Sequence, residues 1–137
     1  MENFSKENKK KILVRIVSLI VTIFILNYLA LKFHWYFSIW WFDMPMHILG
    51  GFWVGLCFIW YLKPKDLSFN NIIKIILGFL VIGLLWEIFE ISVDKIIMQN
   101  PFNVLDTISD ICFGLTGAFF SVLYFSKSIM KKQSIKI

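Results

Sequence analysis

The residues Trp86-Glu87-Ile88-Phe89-Glu90-Ile91-Ser92-Val93-Asp94 end an apolar segment that begins at Ile72. Glu87, Glu90 and Asp94, at i, i+3 and i+7, share one helix face, and a stripe of carboxylates turned toward lipid would be very costly. Two other stretches supply partners, Asp43-Met44-Pro45-Met46-His47 and Asp106-Thr107-Ile108-Ser109-Asp110, each opening another apolar segment. His47 lies one turn beyond Asp43 on the same face, and Asp110 stands in the same relation to Asp106. Carboxylates brought together in a membrane cannot all remain ionised without partners: some take up protons, or a cation is bound. An oxygen-rich set with one imidazole and no thiol suits Mg²⁺, Mn²⁺ or Ca²⁺, and Zn²⁺ where His47 meets two carboxylates. Asp43, His47, Glu87, Glu90, Asp106 and Asp110 are therefore the candidate metal ligands. The alternative is a hydrogen-bonded polar core, with Asp43 and Asp106 as helix caps, His47 paired with one acid, and the rest protonated or facing water.

These groups need helices to carry them. Of 137 residues 58% are hydrophobic, and the mean hydropathy is +0.73, more apolar surface than a soluble domain of this size can bury. Apolar runs of about 20 residues, the length that crosses a bilayer, fall at 12–31, 44–62, 72–91 and 104–125. The expected fold is an all-α membrane protein of four transmembrane helices. Residues 1–11 form a basic leader, 12–125 the transmembrane domain and 126–137 a basic tail. The first run is too long for a signal peptide and no small-residue cleavage site follows it, so it is expected to stay in the mature protein.

The pI of about 9.3 does not point to nucleic acid, because the basic residues follow topology. Twelve of the fourteen flank the ends that four threaded helices place on one side, leaving Lys32 and Lys95 opposite. The positive-inside rule then puts both termini in the cytoplasm, and a multi-pass protein of the bacterial inner membrane is expected. The same threading brings the start of the second span, the end of the third and the start of the fourth to the outer surface. Relative to Asp43, Asp94 and Asp106, the residues His47, Glu90 and Asp110 lie about 6 Å deeper and Glu87 about 10 Å deeper. Six of the nine acids gather there with two lysines.

Between the first two spans, residues 32–42 are crowded with aromatic rings, which favour the headgroup zone; a short in-plane helix is expected there, as an aromatic belt or as a lid over the site. The first span is expected to be mainly lipid-facing, with Arg15 snorkelling to the cytoplasmic surface and Asn27 its one strongly polar residue in the outer half. Gly50, Gly51 and Val54 extend the His47 face, Gly83 the glutamate face, and Gly114 and Gly117 the aspartate face, all permitting close helix approach. Asn103 ends the turn at 98–103 and can cap the fourth span. Cys57 and Cys112 fall at different depths, so no disulfide is expected.

At these motifs the chain resembles a known family. Asp43-x-x-x-His47 with Gly50-Gly51-Phe52, Trp86-Glu87-Ile88-Phe89-Glu90, Leu105-Asp106-Thr107-Ile108-Ser109-Asp110 and Gly117-Ala118 are similar to small bacterial inner-membrane proteins of the YjdF type. More distantly they resemble VanZ-like proteins, some of which are linked to glycopeptide-antibiotic resistance. YjdF-type proteins have further helices and a longer segment between the Glu-x-x-Glu and Asp-x-x-x-Asp pieces. VanZ-like proteins tend to carry an amide or basic residue where this chain has Glu90 and Asp110. The resemblance implies a multi-pass membrane protein with an acidic site, and no particular reaction.

The function expected from the residues is binding of a divalent cation (Mg²⁺, Mn²⁺, Ca²⁺ or Zn²⁺) and, through it, of a phosphate-bearing membrane lipid or cell-envelope precursor. In an enzymatic version the metal polarises a phosphoryl oxygen while His47 or a glutamate transfers a proton. No nucleophile or oxyanion arrangement is legible. The rival readings are a proton- or cation-coupled transporter, for which four helices are few unless a homo-oligomer forms, and a non-catalytic interaction protein held together by its glycine faces.

Overall fold

The computed structural model describes residues 6–98 and 101–127, and within them every element is helical. Helix α1 spans Lys6–Lys32, α2 is a single turn at Trp35–Ser38, α3 spans Asp43–Leu62, α4 spans Phe69–Val93 and continues as a π-helical turn at Asp94–Met98, and α5 spans Val104–Phe125. Four of these are long and apolar enough to cross a membrane: α1, α3, α4 and α5. The chain is a multi-pass membrane protein of the class its composition predicts.

The boundaries differ from the apolar runs where charge and helix compete. α1 starts at Lys6, so the lysine-rich stretch assigned to the leader is already helical from that residue; lysine is a good helix former whatever its hydropathy. α5 matches the expected span at both ends, because Asn103 accepts a hydrogen bond from the Asp106 N–H at 3.4 Å and so caps it. Gln99 and Asn100 of the expected turn lie outside the described residues, as does the tail beyond Lys127. α3 corrects the reading of Asp43 as a cap. The helix already includes Asp43, Phe42 occupies the cap position, and no side chain caps the first turn. The Asp43 carboxylate instead turns toward His47.

The helices alternate in direction. Ile12 at the start of α1, Leu56 and Ile59 near the end of α3, Ile75 near the start of α4, and Val122 and Phe125 at the end of α5 form one buried apolar cluster. Around it the Trp53 indole N–H donates to the Ile16 carbonyl at 3.1 Å, tying α1 to α3. The Arg15 guanidinium lies 4.8 Å from the centre of the Tyr124 ring, a cation–π contact linking α1 to α5. This end also carries the α3–α4 loop, where the Asp66 carboxylate accepts from the Ser68 N–H at 3.1 Å and the Asn71 side-chain amide at 2.9 Å. The Ser68 hydroxyl, together with those bonds, holds the Asp66 carboxyl below the usual carboxylate range. We refer to it as the basic end, and to the opposite end, which holds the motif acids, as the acidic end.

α3 and α5 form the tightest seam. A Cβ on Gly51 would lie 1.9 Å from the Gly114 carbonyl oxygen, one on Gly117 would lie 2.0 Å from the Ile48 carbonyl oxygen, and one on Gly55 would meet the Ser121 hydroxyl at 2.1 Å. Without a hydrophobic force between helices in lipid, backbone approach of this kind is what packs them. α4 joins through rings set into glycines, Phe79 against Gly114 and Phe58 against Gly78. Two glycines differ from expectation: Gly50 has nothing within 4 Å of its would-be Cβ, and the nearest neighbour of Gly83 is the Phe79 ring of its own helix. α1 stands farther out, with Val14, Val17, Val21, Phe24 and Ile25 exposed, as a lipid-facing helix requires. Cys57 and Cys112 are both free thiols.

Candidate metal centre

The polar side chains of the spans divide into two kinds. Four hydroxyls find partners one turn back on their own helix: Thr22 donates to the Ser18 carbonyl, Ser92 to Ile88, Thr116 to Cys112 and Ser121 to Ala118. Such bonds satisfy a small donor locally. A carboxylate accepts only and has no such outlet. The motif acids must therefore be met by other side chains, Asp43 from its own helix and Asp110, Glu87 and Glu90 from another.

They are met at His47. Its Nε2 stands 3.5 Å from Asp43 Oδ2, one turn away on α3, and 3.6 Å from Asp110 Oδ1 on α5. The Asp110 side chain is only 5% exposed and that of His47 12%, while Asp43, at 33%, opens the group toward the acidic end. The position of Asp110 follows from the glycine seam: Gly114 and Gly117, one and two turns further along α5, draw its face against α3. α4 brings Glu87, which is buried, and Glu90 to the same imidazole. Asp43, His47 and Asp110 each offer a ligand atom within 4.8 Å of the other two, and so do His47, Glu87 and Glu90. His47 is thus common to two sets drawn from three helices. Among the described residues none of these four carboxylates pairs with Lys or Arg, and Glu90 Oε2 is buried without a hydrogen-bond partner.

The distances carry chemical meaning. A good hydrogen bond from an imidazole N–H to a carboxylate is about 2.7 to 3.2 Å long, and one N–H cannot serve two oxygens equally. Ligand atoms about 2.1 Å from a shared tetrahedral cation stand about 3.4 Å apart. The two spacings at Nε2 are close to the second figure. Ser109 supports the arrangement, its hydroxyl lying 3.3 Å from Asp110 Oδ1 and donating to the Asp106 carbonyl at 2.9 Å.

The sequence matches the family described as predicted membrane protein, DUF2238, over residues 5–131. The chain belongs to this family. No curated protein and no solved structure matches it. The YjdF-type resemblance is consistent with membership of DUF2238, and the match does not carry the VanZ-like one.

Within this DUF2238 chain five of the six candidate ligands converge, and Asp106 does not. It is exposed in the first turn of α5 and lines a shallow depression with Asp94, Pro101, Phe102, Asn103, Val104 and Leu105. Asp94 stands at the start of the π-helical turn, lines the same depression and belongs to neither His47 set. One link in the neighbourhood is not legible in the sequence. The Tyr36 hydroxyl, on α2, donates to Asn27 Oδ1 on α1 at 2.8 Å. Burial, with the charges of Asp43 and Glu90 adding to it, pushes the Tyr36 phenol up to about 12, so it remains a proton donor throughout the physiological range.

Proposed function

We propose that Asp43, His47 and Asp110, with Glu87 and Glu90 beside them, bind one divalent cation at the acidic end, and that the cation engages the phosphate of a membrane lipid or cell-envelope precursor. The observation that carries the reading is the near-equal distance of two carboxylate oxygens, from different helices, to one imidazole nitrogen. The imidazole favours Zn²⁺ over Mg²⁺ and Ca²⁺, which prefer all-oxygen sites. The charge distribution supports an orientation with the acidic end outward and both termini cytoplasmic, since Lys9, Lys10, Lys11, Arg15, Lys63, Lys65 and Lys74 belong to the basic end. A bound cation supplies Lewis acidity toward a phosphoryl oxygen. Glu87 and Glu90 then remain to accept or hold a proton.

Transport by a single chain is the weaker reading. The basic end is filled by Ile12, Leu56, Ile59 and Ile75, each fully buried, an apolar cluster between the site and the other face. The test is thermal unfolding of detergent-purified protein, stripped with a chelator and reloaded with Zn²⁺, Mn²⁺, Mg²⁺ or Ca²⁺. Zn²⁺ at 100 times its dissociation constant is expected to add about 2.7 kcal/mol, visible as a clear rise in melting temperature. A further rise with a soluble phospholipid, present only in the Zn²⁺-loaded protein, is the expected mark of the phosphate ligand. Identical melting for stripped and reloaded protein contradicts the reading.

A further inference from the structure

The first turn of α3 carries Asp43 yet lacks a side-chain cap, so something else must hold it. The residue at its cap position, Phe42, is gripped by α2: the Trp35 ring meets it edge-on at 5.4 Å and the Tyr36 ring at 5.3 Å. Tyr36 is fixed in turn by its 2.8 Å hydrogen bond to Asn27. A continuous line of contacts therefore runs from α1 through Asn27, Tyr36 and Phe42 to the residue before Asp43.

The same turn has a second face. Trp35, Tyr36, Ile39 and Phe42 face inward and are partly buried, while Phe37 is 82% and Trp40 81% exposed, with Phe33 and Trp41 also exposed. The segment joins two membrane spans, so these rings lie at the boundary of the bilayer, where tryptophan and other aromatic side chains favour the headgroup layer. A lipid surface is the partner that fits this face. A lone amphipathic turn in water would not leave four large rings uncovered.

We propose that residues 33–42 form a membrane-seated strap that sets the position of Asp43, with Tyr36 and Asn27 as positioning residues, so that cation affinity depends on how the strap sits in the headgroup layer. The cation half of this statement rests on the function proposed above. The positioning half does not. Tyr36 touches no ligand atom of the His47 sets, and its effect passes through Phe42.

The experiment compares the parent with Tyr36→Phe, which keeps the ring packing and removes the hydroxyl, with Asn27→Ala, with the double variant, and with Trp40→Gln/Trp41→Gln, all in phospholipid nanodiscs. Amide hydrogen exchange is read at His47 to Leu49 and, as a reference, at Leu56 to Ile59, and Zn²⁺ binding is titrated in parallel. Exchange at His47 to Leu49 is expected to quicken about tenfold in each variant with the reference amides unchanged, and the double variant is expected to be no worse than either single one, because both break one bond. Zn²⁺ affinity is expected to fall about tenfold, the low end for supporting residues of a metal site. Unchanged exchange at His47 to Leu49 overturns the positioning role whatever the Zn²⁺ result. Quickened exchange in the variants of a parent that itself binds no Zn²⁺ upholds that role and removes the proposed function. Variants that bind Zn²⁺ as tightly as a Zn²⁺-binding parent overturn the link between strap and site.

Discussion

Replacing Gly117 with alanine is expected to destabilise the protein by about 3 kcal/mol, the upper end of the usual cost of overpacking. The added methyl would sit 2.0 Å from the Ile48 carbonyl oxygen and 2.7 Å from the Phe52 nitrogen. Both are backbone atoms, so no side-chain rotation relieves the overlap and α3 must move away from α5. Gly51→Ala places its methyl 1.9 Å from the Gly114 carbonyl oxygen and is expected to behave in the same way. Its neighbour provides the control. Gly50→Ala meets nothing within 4 Å, and alanine is worth about 0.5 to 1 kcal/mol over glycine inside a helix, so this variant is expected to match or exceed the parent. Thermal unfolding of the three proteins in one detergent decides the point. Equal melting of Gly50→Ala and Gly51→Ala would mean that the seam is looser than described here.

The second large effect separates two aspartates that stand one turn apart on the same helix. Asp110→Asn is expected to weaken cation binding about 100-fold, because it takes away the negative charge of the α5 carboxylate that faces His47 Nε2 at 3.6 Å and puts an NH2, which cannot ligate a cation, in place of one of its two oxygens. Asp106→Asn is expected to stay within about twofold of the parent, since its carboxylate is exposed and belongs to neither set around His47. Isothermal titration of both variants with Zn²⁺ measures the difference. An equal loss in the two would show that electrostatic attraction to the acidic end, rather than coordination, governs binding. Asp110→Asn is also milder on packing than an alanine change, because the amide fills the same space.

That contrast marks where sequence reading stops. Hydropathy and charge suffice for four spans and for gathering the acids at one end, because each depends on local composition and on the alternation of direction. The end of α5 was legible too, since Asn103 and the limit of the apolar run agree at Val104–Phe125. Which acids meet His47 was not legible. Asp106 and Asp110 share one face, and it is the close packing at Gly114 and Gly117, deeper along that face, that buries Asp110 while Asp106 stays exposed in the first turn. The cap reading of Asp43 failed for a related reason: propensity places an aspartate at a helix start, but here its carboxylate is directed at His47 across one turn. Asn27 stood out as the one strongly polar residue of its span, but its bond to Tyr36 was not legible because it links two elements, and the aromatic density around Tyr36 conceals which ring faces in.

The glycine seam, the hydroxyls satisfied within their own helices and the acids met across helices describe one division of labour. Tight backbone contact supplies the geometry in which the carboxylates meet His47. A buried charge that lacks a partner is strongly destabilising, which is why a cation in this position would stabilise the fold as well as serve it.

Cation stoichiometry tests the central claim most directly. The parent and His47→Ala, each dialysed against Zn²⁺ and passed through a desalting column, are analysed for metal by elemental mass spectrometry against protein concentration. The account predicts about one Zn²⁺ per chain in the parent and a small fraction of that in His47→Ala, because the imidazole is the ligand common to both sets. Neither protein retaining metal, or both retaining it equally, would contradict it.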